Sequence, residues 1–269
     1  MFWRAKNGLL HLENSDMHYV SFGKGKNTLV MLPGLADGVT TVKGMAIPLA
    51  LQNRIYAKDY KVYVFSRKND ISEGYSTRDM ARDQAAAMAA LGIKKACVLG
   101  VSQGGMIAQH LAADYPELVE KLVLAVTLSR QNDMVREVIG GWIAMAERAD
   151  YKSIMIDISE RSYSEKYLSR YRLLYPLLGR IGKPDDFSRF IIQANSCISH
   201  DSYEELSKIV CPTLVIGGDC DKIVGPEPSR ELAGAIKNCK LIMYEGLGHA
   251  AYEEGKDFNQ RVLQFLKSE

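Results

Sequence analysis

The sequence predicts an α/β protein, a mostly parallel sheet flanked by helices with an all-helical insertion between two of its strands. Three observations carry that reading. Apolar strand-like runs alternate with helical ones along most of the 269 residues. The strand signals stop from about Ser129 to Lys208, where the chain reads as helices rich in Tyr, Arg and Met. Finally, the stretch Gly100-Val101-Ser102-Gln103-Gly104 sits where an apolar run gives way to a helical pattern. Residues 1–128 and 209–269 are therefore expected to form the core, and residues 129–208 a helical cap.

Each element has a local cause. Met17 to Phe22 alternates as an early strand, and Gly23-Lys24-Gly25-Lys26-Asn27 turns it into the apolar strand Thr28–Leu32. Lys61–Phe65 is the next strand. Ser76 then caps an alanine-rich helix that runs to about Leu91, with Asp79 placed for a capping box. Ala96–Leu99 is the strand before the Gly-x-Ser-x-Gly turn, and Met106–Ala112 the helix after it. Leu122–Val126, Thr213–Gly217 and Leu241–Tyr244 read as further strands, and about Asp257 to Leu266 as a final helix.

Composition narrows the function classes. A net charge of +2 gives no reason to invoke nucleic acid or an anionic membrane. The opening Met1-Phe2-Trp3-Arg4-Ala5-Lys6 lacks the apolar core of a signal peptide, and no apolar run approaches the ~20 residues of a membrane helix. Five cysteines (Cys97, Cys197, Cys211, Cys220, Cys239) make an odd count without a CxxC pair, which suits reduced, core-packed thiols in a cytoplasmic protein. No His/Cys/Asp cluster has metal-ligand spacing, and neither a phosphate-cradling GxxxxGK[ST] nor a dinucleotide-binding glycine pattern occurs, so no metal and no cofactor are implied.

A serine flanked by glycines at a strand-to-helix junction is the signature of a nucleophile elbow, in which the turn strains the serine and tolerates almost no side chain two residues to either side. The alcohol needs a base, and the base an orienting acid. Two loops downstream supply them, each following a strand: Gly217-Gly218-Asp219-Cys220-Asp221-Lys222-Ile223-Val224 and Glu245-Gly246-Leu247-Gly248-His249-Ala250. Both would lie at the carboxyl edge of the sheet that presents Ser102, the edge at which open α/β sheets build their sites.

Three motifs in this order resemble the α/β-hydrolase superfamily, over essentially the whole chain. The resemblance implies the α/β-hydrolase fold, with Ser102 as nucleophile, His249 as general base and Asp221 as the acid of a G-x-x-D-x-x-V pattern; Asp219, on the same loop, is the rival carboxylate. It also implies an oxyanion hole made by the backbone N–H of Gln103 and by one from the loop after Thr28–Leu32. Many members carry His-Gly-x in that loop, whereas this chain has Pro33-Gly34-Leu35, which leaves Leu35 as the second donor and Gly34 at the substrate. The side chains of Leu35 and Gln103 are then expected on the pocket floor. A second departure follows Lys61–Phe65: relatives often read Asp-x-Arg-Gly-x-Gly-x-Ser, and this chain has Ser66-Arg67-Lys68-Asn69 and, later, Gly74-Tyr75-Ser76.

Within the cap, Tyr163, Tyr167, Tyr171 and Tyr175 recur at every fourth position, which would place all four on one side of a helix. They pack cap against core, or form an aromatic wall for an apolar substituent; Tyr163, Tyr167 and Trp142 are the substrate-contact candidates. Arg170 and Arg172 meet a carboxylate or are solvated. His110 is expected to be packed, and His200 to be a surface residue of the cap, although ligand contact is open to it. The resemblance implies a serine hydrolase acting on a small molecule, with a small-to-medium carboxylic ester as the modal substrate. Lactones, small peptides and carbon–carbon bonds of β-diketones run on the same triad, and a ligand-binding or sensing protein that has kept the triad is the alternative of a different class.

Overall fold

In the computed structural model, which describes residues 3–178 and 182–268, eight strands join into one sheet. They are β1 (Lys6–Leu12), β2 (Ser15–Phe22), β3 (Asn27–Leu32), β4 (Tyr60–Lys68), β5 (Ala96–Val101), β6 (Val119–Ala125), β7 (Thr213–Gly218) and β8 (Cys239–Tyr244). The spatial order is β1-β2-β4-β3-β5-β6-β7-β8. β2 pairs antiparallel with β1 and β4, and every pairing from β4 to β8 is parallel. From β3 the chain crosses outward to β4, then returns to the other side of β3 to lay down β5. The carboxyl ends of β3 and β5 therefore flank the switch point of the sheet, where loops diverge and leave a crevice.

Both faces of the central strands are covered, so these strands read as continuous apolar runs. Val30, Leu32 and Val98 point into one core with α2 (Thr77–Ala90) and α3 (Gln103–Asp114). Leu29, Met31, Cys97 and Leu99 point into a second core. That second face is closed by α1 (Ala46–Gln52) near one edge and by α11 (Phe258–Lys267), whose Val262 and Phe265 are buried. Ser76 caps α2 as expected, its side chain accepting from the Asp79 N–H while Asp79 accepts from the Ser76 N–H. Four helices and strands escaped the sequence reading: β1, an edge strand without a single buried residue; α1, short and lacking a side-chain cap; α9 (Glu227–Ala235), introduced by Pro226; and α10 (Ala251–Glu254), a single turn.

Between β6 and β7 lie α4 (Asp133–Glu147), α5 (Tyr151–Ser162), α6 (Glu165–Tyr171), α7 (Tyr175–Leu178) and α8 (Ser188–Ile198). Of these, α4, α5 and α8 build a third apolar cluster over the carboxyl edge, which includes Trp142, Ile154 and Phe190. This segment rejoins the core before Lys208, because Leu206 already packs in the first cluster. Its two ends are stapled together by the backbone: Arg130 and Asp201 form an isolated antiparallel β-bridge, and the Ser202 N–H donates to the Ser129 carbonyl at 2.7 Å.

His200 is not on the surface. Only 2% exposed, it lies between Thr77 Oγ1 at 2.8 Å and Ser202 Oγ at 3.3 Å, its ring edge-on to His110 with centroids 5.2 Å apart. Burial, with His110 beside it, pushes the His200 imidazole down to about 3; burial also lowers His110, against Glu205, which raises it. The His200 ring stays neutral in the fold while an unfolded chain protonates it near the ordinary 6.5. Stability is therefore full above about pH 7 and is lost as pH falls through 6.5 toward 3. His200 alone should remove about 2 kcal/mol between pH 7 and pH 5. Urea unfolding at the two pH values should show that slope, and His200→Asn should flatten it; equal slopes in both proteins would refute the assignment.

Candidate active site

Ser102 stands between β5 and α3 with φ 53° and ψ −120°, a conformation that costs a non-glycine residue on the order of 1–3 kcal/mol. Its neighbours impose that geometry. A Cβ on Gly104 would come within 1.9 Å of the Leu32 carbonyl oxygen, and one on Gly100 within 2.4 Å of the Gly104 oxygen, so both glycines are sterically required. The Ser102 N–H donates to the Ala125 carbonyl at 2.9 Å, and Thr127 Oγ1 donates to the Ser102 carbonyl at 2.8 Å. Thr127 follows Val126, itself at φ 46°, so a second strained turn clamps the first.

The loops after β7 and β8 carry the next two groups. Asp221 is 4% exposed and bidentate in use: Oδ1 accepts from the N–H groups of Ile223 at 2.8 Å and Val224 at 3.0 Å, while Oδ2 lies 2.8 Å from His249 Nδ1. His249 Nε2 lies 2.9 Å from Ser102 Oγ. Asp219 takes no part in this chain of contacts. It is exposed, and its Oδ1 accepts from the Gly246 N–H at 2.7 Å, which joins the two loops.

At the switch point, Gly34 passes so close to Ser102 that an added Cβ would lie 3.3 Å from the serine Cβ. Leu35 follows it on the cavity wall. The Gln103 N–H opens α3, where a first-turn amide has no intrahelical acceptor and the helix end favours negative charge. The Gln103 side chain is not on the pocket floor. It is fully buried, its Nε2 donating to the Gln193 carbonyl at 2.8 Å and its Oε1 accepting from Arg67 Nη2 at 3.0 Å. A primary amide buried in this cleft is drawn to the backbone polar groups of α8 and to a guanidinium rather than to an apolar cavity.

Arg67, together with Asp37, is the part of the site that sequence reasoning passed over. Arg67 Nη2 also donates to the Pro33 carbonyl at 2.6 Å, so one guanidinium ties the β3 loop to the start of α3. Burial pushes it down to about 10, and Asp37 works against that shift. Asp37 Oδ2 accepts from the Arg67 N–H at 3.0 Å and from Arg189 Nη2 at 2.7 Å, which anchors α8 to the same point. The signal was present in the altered Ser66-Arg67-Lys68-Asn69 stretch, because an arginine ending an apolar strand must find partners.

A cavity of about 300 Å³ opens beside Ser102 and His249. Trp142 and Gly34 line it; Tyr163 and Tyr167 do not. The one-sided helix of tyrosines is interrupted at Tyr163, which is extended after α5, and Tyr163, Tyr167 and Tyr171 instead stack at 4.3 and 4.2 Å. The Tyr163 hydroxyl donates to Glu253, and Tyr175 to Glu160, so these rings brace the helical layer away from the cavity. Arg172 is held by Glu160 and Glu165. Of the cysteines, Cys97, Cys197 and Cys211 are buried, whereas Cys220 is exposed and Cys239 half-buried.

A parallel sheet with its elbow at the switch point defines an α/β-hydrolase fold. A model described as alpha/beta hydrolase fold matches residues 27–150, and one described as TAP-like protein matches residues 193–268. The chain belongs to the α/β-hydrolase superfamily. It is 26% identical to a 2-hydroxy-6-oxononadienedioate/2-hydroxy-6-oxononatrienedioate hydrolase of a Pseudomonas species, over 94% of this chain and 92% of that protein. It is likewise 26% identical to the serine hydrolase BPHL of Mus musculus, over 93% and 83% respectively. Among solved structures it superposes on the enol-lactonase from Burkholderia xenovorans LB400 with a TM-score of 0.83 at 20% identity, covering 97% of this chain and all (100%) of that one.

Removing Asp37 would leave Arg189 and the Arg67 backbone without their acceptor. Because Asp37 is 3% exposed, Asp37→Ala should destabilise the fold by about 3–5 kcal/mol. A denaturant titration that finds less than about 1 kcal/mol would show that the pair is not the anchor described.

Proposed function

We propose that this protein is a serine hydrolase that cleaves neutral carboxylic esters through an acyl-enzyme on Ser102. The observation that carries the reading is the unbroken line from Asp221 Oδ2 through both nitrogens of His249 to Ser102 Oγ, with links of 2.8 and 2.9 Å. In this mechanism His249 Nε2 takes the proton as Ser102 Oγ attacks the carbonyl carbon. Asp221, fixed by two backbone donors, holds the proton on Nδ1 and stabilises the imidazolium. The N–H groups of Leu35 and Gln103 receive the developing oxyanion. Collapse of the tetrahedral intermediate expels the alcohol, protonated by His249, and water activated by the same histidine then releases the acid. The helical segment over the carboxyl edge serves as the cap.

The cavity lining bears on the choice of bond. Among the described residues it contains no Lys, Arg, Asp or Glu, and His249 is its one ionisable base. A dioate, such as the relatives' names denote, carries two carboxylates that would find no cation there, and burying them unpaired would be costly. An uncharged ester or lactone fits this lining, which is why we place carbon–carbon cleavage of a dianion second. A sensing role would use the same pocket but would bind without turnover.

Ser102→Ala and His249→Ala should each lower kcat on an activated ester by roughly 10⁴–10⁶. A fluorophosphonate should label the wild type once, at Ser102, and activity within tenfold of wild type in either variant would overturn the mechanism. The choice of acid has its own test. Asp221→Asn should cost about 10³–10⁴ in kcat by favouring the wrong tautomer, and Asp219→Asn far less. The opposite ranking would move the acid to Asp219.

A further inference from the structure

The cavity joins two of the three apolar clusters, and Ser102 sits where they meet. On one side it runs beneath the helical segment, past Val135, Ile139, Trp142 and Ile158. On the other it descends along the second face of the sheet. Its floor there is a single row of cross-strand neighbours, because Met31 is in register with both Val64 on β4 and Leu99 on β5. Leu99 lies two residues before Val101 on the same face of β5, so this row is one step below the residue that leads into Ser102. Leu49 on α1 and Phe258 on α11 wall the passage. Its outer end carries Gln52, exposed, and Asn53 and Asn259, half-exposed.

We propose that this second arm, between α1 and α11, is a binding channel for an unbranched alkyl chain of the substrate, on its acyl or its alcohol side. The proposal rests on the serine-hydrolase reading. Four properties of the arm point to this occupant. It is continuous with the reacting serine, so a chain attached to the ester carbon or ester oxygen reaches it without leaving the pocket. Its floor and walls are aliphatic and aromatic, with no charged group among the described residues, so an apolar chain is favoured over a charged or heavily hydroxylated one. A flat row across three strands suits a linear chain better than a bulky ring. The amides at its far end mark a wet exit rather than a blind wall, and Asn259 is fixed there by the Tyr56 hydroxyl, which donates to its Oδ1 at 2.9 Å. α1 adds a further apolar signal outside, since Ile47 and Leu51 are 48% and 44% exposed on its outward side.

Two ester series test this, p-nitrophenyl acyl esters from acetate to decanoate and alkyl acetates from methyl to decyl, with kcat/KM read at each length. In the wild type one series should rise about two- to fourfold per methylene until the arm is full. Leu49→Trp, which fills the passage, should lower the octanoate-to-acetate ratio, or the octyl-to-methyl ratio, at least tenfold. Leu49→Ala, which widens it, should move the preferred length upward, so the result does not hang on one variant folding. Ile139→Trp, on the other arm, should leave the length ratio within threefold while changing the response to branched or aromatic groups on the opposite side of the ester. The proposal is overturned if both wild-type series are flat, or if Leu49→Trp and Leu49→Ala follow the wild-type length profile. A wild type that hydrolyses no ester and escapes fluorophosphonate at Ser102 would instead overturn the underlying serine mechanism, and the channel with it.

Discussion

The conformation of one residue governs this molecule. Ser102 is held at positive φ, and everything around it exists to make that tolerable: glycines two residues to either side, a carbonyl of β3 against Gly104, and the Thr127 hydroxyl on its own carbonyl. A strained residue survives only where its surroundings leave it no alternative. Here the surroundings are the ends of three adjacent strands, β3, β5 and β6. The strain is useful because it lifts the hydroxyl above the sheet edge and aims it at His249 instead of at its own helix.

Around this point the site divides into self-sufficient pieces. The Asp221 loop satisfies itself through Ile223 and Val224, so the carboxylate needs no help from the helical segment to stay oriented. The Arg67 guanidinium does the opposite, gathering the β3 loop, the start of α3 and, through Gln103, the body of α8 into one buried knot. The helical layer is thereby fastened to the very segments that flank the serine. Its far side is fastened separately by His200, Ser202 and the Arg130–Asp201 bridge.

Much of this was legible in the linear chain, for a definite reason. Central parallel strands are buried on both faces, so Thr28–Leu32, Ala96–Leu99 and Thr213–Gly217 announce themselves as unbroken apolar runs, and the elbow announces itself by its glycines. Ser102 and Asp221 stood out because each follows such a strand, and His249 because its glycine-rich loop follows the short apolar run Leu241–Tyr244 of the edge strand β8. What stayed hidden depends on partners remote in sequence. β1 is half-solvated and has no run to display; His200 looks like any surface histidine until Thr77 closes over it, 123 residues away. The tyrosine repeat misled because a period of four says which residues can meet, not which way the helix carrying them will face or where it will break. Gln103 misled for a related reason: its backbone and its side chain serve different neighbours, and spacing locates only the backbone.

The strand order also divides, along the chain, the groups to which the proposed reaction gives a role. Gly34, Leu35, Ser102 and Gln103 all precede the helical segment, whereas Asp221 and His249 follow it, on the loops after β7 and β8. Within the sheet the two sets are joined at the β6–β7 seam, a parallel pairing of four registered residue pairs. On the proposed mechanism, a chain cut between those strands would yield one fragment holding an unactivated alcohol and another holding a base with nothing to deprotonate. Function would then report the reunion of two polypeptides, which makes the helical segment a natural place to install a split reporter whose signal is chemical turnover.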